Sequence, residues 1–119
     1  MAIAGQIVLF KFPQTDLSVG KLRPALLVKP VSSRYDDWLV CMISTKTGQE
    51  IPNLDEILSP KQPDFVQTGL KSESVIRVSR LAVVSKKILL GKIGEISTQR
   101  LEQITRNLAT WMALLNKEL

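Results

Sequence analysis

Apolar residues change their spacing once along this chain, and that change limits the fold more than any other feature. From residue 6 to about residue 96 they gather in short β-branched and aromatic runs, separated by Pro, Gly and Ser. After Ser97 they recur three and four residues apart, at Leu101, Ile104, Leu108, Trp111 and Leu115. The first pattern predicts strands joined by tight connections. The second predicts one amphipathic helix, capped by Ser97 or Thr98 and running to about Asn116. Its stripe, with Trp111 as a core anchor, is expected to pack on the sheet.

The expected strands are Gln6–Phe12, Pro24–Val28, Trp38–Ile43, Phe65–Leu70, Ser74–Val78 and Leu81–Ser85, with a short addition over Leu89–Ile96. Pro24 must stand at a strand start or on an edge, because it has no N–H for a ladder. Trp38–Ile43 is almost wholly apolar, which predicts burial on both faces. Residues 46–64 hold three prolines and read as a long irregular loop with a helical turn around Leu54–Leu58. Several short strands point to a small barrel or sandwich. With 119 residues, 45% of them apolar, the chain fits one domain over residues 1–119.

Several chemistries are excluded. The chain has no histidine, which removes imidazole acid–base catalysis and histidine-ligated metals. Its one cysteine, Cys41, lies in an apolar run and reads as a small core hydrophobe. No phosphate-binding glycine loop, dinucleotide fingerprint or calcium loop is present. The N-terminus lacks the charged start of a leader, and no window is apolar for the roughly 20 residues a membrane helix needs. A cytoplasmic protein without a membrane role is the expectation.

The formal charge is +5, unevenly placed. Residues 47–64 carry Lys61 against Glu50, Asp55, Glu56 and Asp64, while the segments on either side are basic. A basic surface suits polyanions, since each cation that meets a phosphate releases counterions. Four groups of residues are candidates for such contact. Arg23 precedes Pro24, which restricts its backbone and gives its guanidinium a rigid base; it either grips a phosphate or pairs with an acid such as Asp16. Ser44, Thr45 and Lys46 end the buried strand, offering two hydroxyls and a cation, although such hydroxyls also cap strand ends. Arg77 alternates with Ile76 and Val78 and should point away from the core, as a solvated charge or a phosphate contact. Arg80 lies close by.

These stretches resemble a known family. Gly5-Gln6-Ile7-Val8, Phe12-Pro13, Asp16-Leu17-Ser18 and Lys21-Leu22-Arg23-Pro24-Ala25-Leu26-Leu27-Val28 resemble the start of the MazF/PemK (Kid) toxins. Ile43-Ser44-Thr45-Lys46, Gly69-Leu70-Lys71, Ser74-Val75-Ile76-Arg77-Val78 and Lys92-Ile93-Gly94-Glu95-Ile96-Ser97 continue the likeness in order, over nearly the whole chain. The resemblance implies an SH3-like β-barrel of the CcdB/Kid/MazF kind with a C-terminal helix, working as a homodimer.

The resemblance also implies an activity. It points to a sequence-selective, metal-independent endoribonuclease of a toxin–antitoxin pair, with no cofactor. The ribose 2′-hydroxyl of single-stranded mRNA would attack the adjacent phosphate. Arg23 would stabilise the phosphate and protonate the leaving group, with Ser44 and Thr45 binding the scissile phosphate. Lys21, Lys46, Arg77 and Arg80 would hold the RNA backbone. The family's Thr-Ser pair falls on Ser44-Thr45 with the hydroxyl types exchanged. Many members carry Arg-x-Asp where this chain has Arg77-Val78-Ser79, so the arginine matches and the acid does not. An acidic antitoxin is the implied partner. Two other readings are a non-catalytic relative that binds RNA or antitoxin, and a gyrase poison of the CcdB group, for which the Arg-Pro motif has no use.

Overall fold

The computed structural model describes residues 2–11 and 22–114. In chain order it has β1 (Gln6–Lys11), β2 (Leu22–Pro30), β3 (Asp37–Ser44), β4 (Glu56–Leu58), β5 (Ser74–Ser85), β6 (Leu89–Glu95) and α1 (Thr98–Ala113). Three single turns of 3₁₀-helix lie at Thr47–Gln49, Val66–Thr68 and Lys86–Ile88. All strand pairs are antiparallel, in the order β4-β5-β3-β2-β1-β6.

Alternation along β1, β2 and β3 sends side chains into two apolar clusters, one on each face. Ile7, Leu26, Val28, Cys41, Ile43, Ile76 and Val78 build the larger, closed over by Ile104 and Leu108 of α1. Val8, Phe10, Ala25, Leu27, Trp38 and Val40 build the second. β3 is thus buried on both faces, as its apolar run implies. Leu58 from one edge strand and Ile93 from the other meet the same larger cluster, so the sheet curls toward a barrel without its edges pairing.

The helix follows its stripe in part. Ser97 caps it, its Oγ accepting from the Arg100 N–H at 3.2 Å. Ile104 and Leu108 are buried, each worth on the order of 1.5–3 kcal/mol. Trp111 is 49% exposed and does not anchor the core, because the apolar clusters end near Leu108. Leu115 and Asn116 lie outside the described residues.

Other boundaries also differ from expectation. Phe65–Leu70 is a turn, not a strand: the Thr68 hydroxyl donates back to the Phe65 carbonyl at 2.6 Å, and Gly69 reverses the chain at φ 72°. Residues 54–58 are not helical. A turn closes from Ile51 to Asp55, with Asn53 at φ 67°, and Glu56–Leu58 then pairs with the start of β5. The two strands expected over residues 74–85 are one continuous strand. What breaks is its pairing: Met42 faces Arg77 while Cys41 faces Leu81, so residues 78–80 bulge away from the ladder.

Two glycines seat the 66–69 turn on β6. A Cβ on Gly69 would lie 2.0 Å from the Ile93 carbonyl oxygen, and one on Gly94 would lie 2.2 Å from that of Thr68. Only bare backbone on both sides permits this approach, and it fixes where residues 70–74 begin.

Candidate functional site

The β2–β3 register ends at Ala25↔Met42, one residue short of Pro24, whose missing N–H cannot extend the ladder. Beyond that point the strand ends separate into a cleft of about 370 Å³. Leu22, Arg23 and Pro24 form one wall, and Ile43, Ser44, Thr45 and Lys46 a second. Leu70, Lys71, Ser72 and Ser74, placed by the Gly69 turn, form the third. Among the described residues, three cations line it and no acid does.

The structure therefore brings Arg23, Ser44, Thr45 and Lys46 together. Arg23 alternates with Ala25 on β2, and Ser44 with Met42 on β3, so the two share a sheet face on neighbouring strands. Arg23 is exposed, and no acid among the described residues pairs with it. Ser44 Oγ accepts from the Lys46 N–H at 3.0 Å, the strand-end cap its position allows. Its own proton has no acceptor among the described residues and remains available to donate. Lys71, Ser72 and Ser74 were not singled out in the sequence as site residues. The available signal is Gly69, two residues before Lys71 in Lys-Ser-x-Ser.

Arg77 and Arg80 do not line the cleft. Arg80 is exposed on the bulge. Arg77 is not a solvated charge: its side chain is only 12% exposed, its Nε donates to Asp55 Oδ2 at 3.1 Å, and its Nη1 donates to Gln49 Oε1 at 3.0 Å. Lys21 lies outside the described residues, as does Asp16.

Asp55 had no sequence signal. It is 3% exposed, inside the acidic loop, and reaches the β5 bulge. Its Oδ1 accepts from the Ser79 N–H at 3.0 Å and the Ser79 hydroxyl at 3.1 Å. The bulge frees that N–H from the ladder, and the carboxylate takes it. A carboxylate thus stands beside Arg77 and Ser79 although residue 79 is not acidic. Cys41 contributes no nucleophile: burial, and secondarily the Asp55 charge, push its thiol up to about 12.

Comparison with known proteins places this architecture. A family model described as PemK-like, MazF-like toxin of type II toxin–antitoxin system matches residues 3–112. The chain belongs to that toxin family. A solved Mycobacterium tuberculosis toxin, MazF-mt6, superposes with a TM-score of 0.67 at 18% identity, covering 93% of this chain and 99% of that one. A mycobacterial endoribonuclease solved with its cognate antitoxin gives a TM-score of 0.68 at 15% identity, covering 98% and 99%. These likenesses establish the MazF-type fold, an SH3-like barrel with a C-terminal helix. No curated protein sequence matches. No helix among the described residues is long and apolar enough to cross a membrane.

Arg23, the residue before Pro24, opens onto the cleft, and Ser44 and Thr45 stand on the facing wall.

Proposed function

We propose that this toxin is an mRNA interferase: a sequence-selective, metal-independent endoribonuclease acting on single-stranded RNA as a homodimer. The observation that carries the proposal is the cleft, without an acid among its described lining residues, where Arg23, Lys46 and Lys71 meet the Ser44 and Thr45 hydroxyls. Such a cleft suits a phosphodiester. Attack of the ribose 2′-oxygen on phosphorus, its proton passing to solvent water, builds a doubly charged phosphorane, and the bond to the 5′-oxygen breaks to leave a 2′,3′-cyclic phosphate and a 5′-hydroxyl. Preorganised cations and hydroxyl donors stabilise that charge as it develops. Arg23 stabilises the phosphorane and protonates the departing 5′-oxygen. Ser44 and Thr45 hold the non-bridging oxygens, and Lys46 and Lys71 the flanking backbone. Arg77, tied to Asp55, acts from behind the wall, and Lys21 and Arg80 are further contacts for the RNA backbone.

The second reading, an RNA or antitoxin binder without cleavage, is favoured by one observation: no carboxylate among the lining residues stands ready to take the 2′-hydroxyl proton. The test is incubation of a long single-stranded RNA with the purified protein in EDTA, beside Arg23→Ala. Cutting at a few fixed sites, lost in the variant, is expected. Tight binding without cutting by the unaltered protein would establish the second reading instead. The same cations suit an acidic, partly disordered antitoxin segment that folds on binding, in the cytoplasm. RNA and that segment should weaken each other's binding; simultaneous, independent binding would refute a shared site.

A further inference from the structure

The cleft wall after β3 is held to the body of the protein by few bonds. Within residues 45–50 the backbone bonds are local: Thr47 N–H to Thr45 C=O, Gln49 N–H to Lys46 C=O and Glu50 N–H to Thr47 C=O. Among the described residues, the side-chain tether from this turn to the sheet is Gln49, which accepts from Arg77. Arg77 in turn is held by Asp55. The second Asp55 oxygen, Oδ2, accepts from the Ile51 N–H at 3.0 Å, just past the turn, as well as from Arg77. One buried carboxylate therefore ties the bulge at Ser79, the guanidinium and, through Gln49 and Ile51, the C-terminal side of the segment that carries Lys46. A buried carboxylate with this many donors is satisfied and rigid.

We infer that Asp55 is a positioning residue of this toxin: through Arg77 and Gln49 it fixes the Thr45–Gln49 wall, and with it the placement of Thr45 and Lys46 against a bound phosphodiester. The inference rests on the proposed cleavage for its activity readout but not for its structural one. Asp55 does not line the cleft and takes no proton from substrate. Ser79 Oγ lies within 3.1–3.3 Å of both carboxylate oxygens. An acid at residue 79 would put a carboxylate almost in the same place.

That proximity supplies the test. Asp55→Asn removes the charge with little change of shape. Gln49→Ala cuts the tether at an exposed residue, so folding is preserved. Asp55→Asn combined with Ser79→Asp returns the carboxylate from the other chain segment. Amide hydrogen exchange over residues 46–50 and single-turnover RNA cleavage are read for each. Both single variants should speed exchange there by about tenfold and slow cleavage by on the order of 10- to 100-fold, since a displaced wall misplaces the phosphate. The double variant should recover most of both. Wild-type exchange and cleavage in Gln49→Ala would overturn the inference, as would a folded double variant that recovers nothing. A wild-type protein that cuts no RNA would defeat the proposed function alone; the exchange series would still decide the tether.

Discussion

Arg23 and Arg100 carry the same guanidinium to opposite fates. Arg100, in the first turn of α1, is saturated. It grips Asp64 with Nε and Nη2 at 2.8 and 3.1 Å, and adds Gln62 Oε1, the Ile57 carbonyl and Glu56. Ser97, the helix cap, donates to the same Asp64. Arg23 stands exposed at the cleft mouth with no acid paired to it among the described residues. Arg77 lies between these extremes, tied to Asp55 and Gln49. The acidic stretch over residues 47–64 explains the contrast. Asp55, Glu56 and Asp64, three of its four acids, turn inward to Arg77 and Arg100. Most of the loop's negative charge is consumed inside the fold, and the cations of the cleft are left without a paired acid among the described residues.

The comparison breaks most visibly if Arg23 is removed. Arg23→Ala should lower single-turnover RNA cleavage by on the order of 100- to 1,000-fold, the scale for losing one preorganised charge-stabilising donor. Its unfolding free energy should stay within about 0.5 kcal/mol of wild type, as for other exposed substitutions. A large loss of stability in urea unfolding would show that Arg23 is a structural residue like Arg100.

Arg100→Ala should do the reverse. It leaves Asp64 and Glu56 half-buried without their cation and unties the helix start from the loop, at a cost of about 3 kcal/mol. Cleavage per folded molecule should be nearly unchanged. If activity fell as far as in Arg23→Ala while stability held, the division between a structural and a functional guanidinium would be wrong.

The sequence disclosed the two extremes unequally. Arg23 was legible because proline stiffens the residue before it and ends the ladder beside it; both are local effects. The helix, its Ser97 cap and the twofold burial of β3 were legible for the same reason, since periodicity and composition act within a few residues. Arg100 and Asp55 were not legible, because their partners lie 36 and 22 to 24 residues away and only the folded loop brings them together. The Phe65–Leu70 turn was misread as a strand because its β-branched and aromatic composition hid the Thr68 hydroxyl and the positive φ of Gly69. Trp111 satisfied the helical spacing, yet spacing does not say where the underlying core stops.

Lys71 sharpens the comparison on the ligand side. It is a cleft cation on a flexible stem, without the rigid base Arg23 has. Lys71→Ala should weaken binding of uncleavable 2′-O-methyl RNA modestly at all sequences. It should also lower the slope of log affinity against log salt by about one. An unchanged slope would remove Lys71 from the phosphate path and leave the third wall of the cleft as packing only.

The smallest effect concerns how Arg100 divides itself between two carboxylates. Asp64 takes the short paired bonds, and the Arg100 hydrogen bond holds its carboxyl below the ordinary 3.8. Glu56 receives one contact at 3.5 Å, and burial, aided by the Glu50 and Asp64 charges, raises it above 4.5 despite Arg100. The signs are opposite. The depressed Asp64 contributes stability that is present above pH 3.8 and lost as pH falls through its folded value. The raised Glu56 contributes stability that is full below pH 4.5 and lost as pH rises through its folded value. At pH 7 the Glu56 charge is therefore a small burden, and Glu56→Gln should melt at or slightly above wild type. On acidification toward pH 4.5 wild type should gain on the variant, and the difference should close. Asp64→Asn should instead flatten the loss of stability below pH 3.8. A Glu56→Gln protein clearly less stable than wild type at pH 7 would mean that Arg100 serves both acids equally, and that its saturation reaches further than the distances imply.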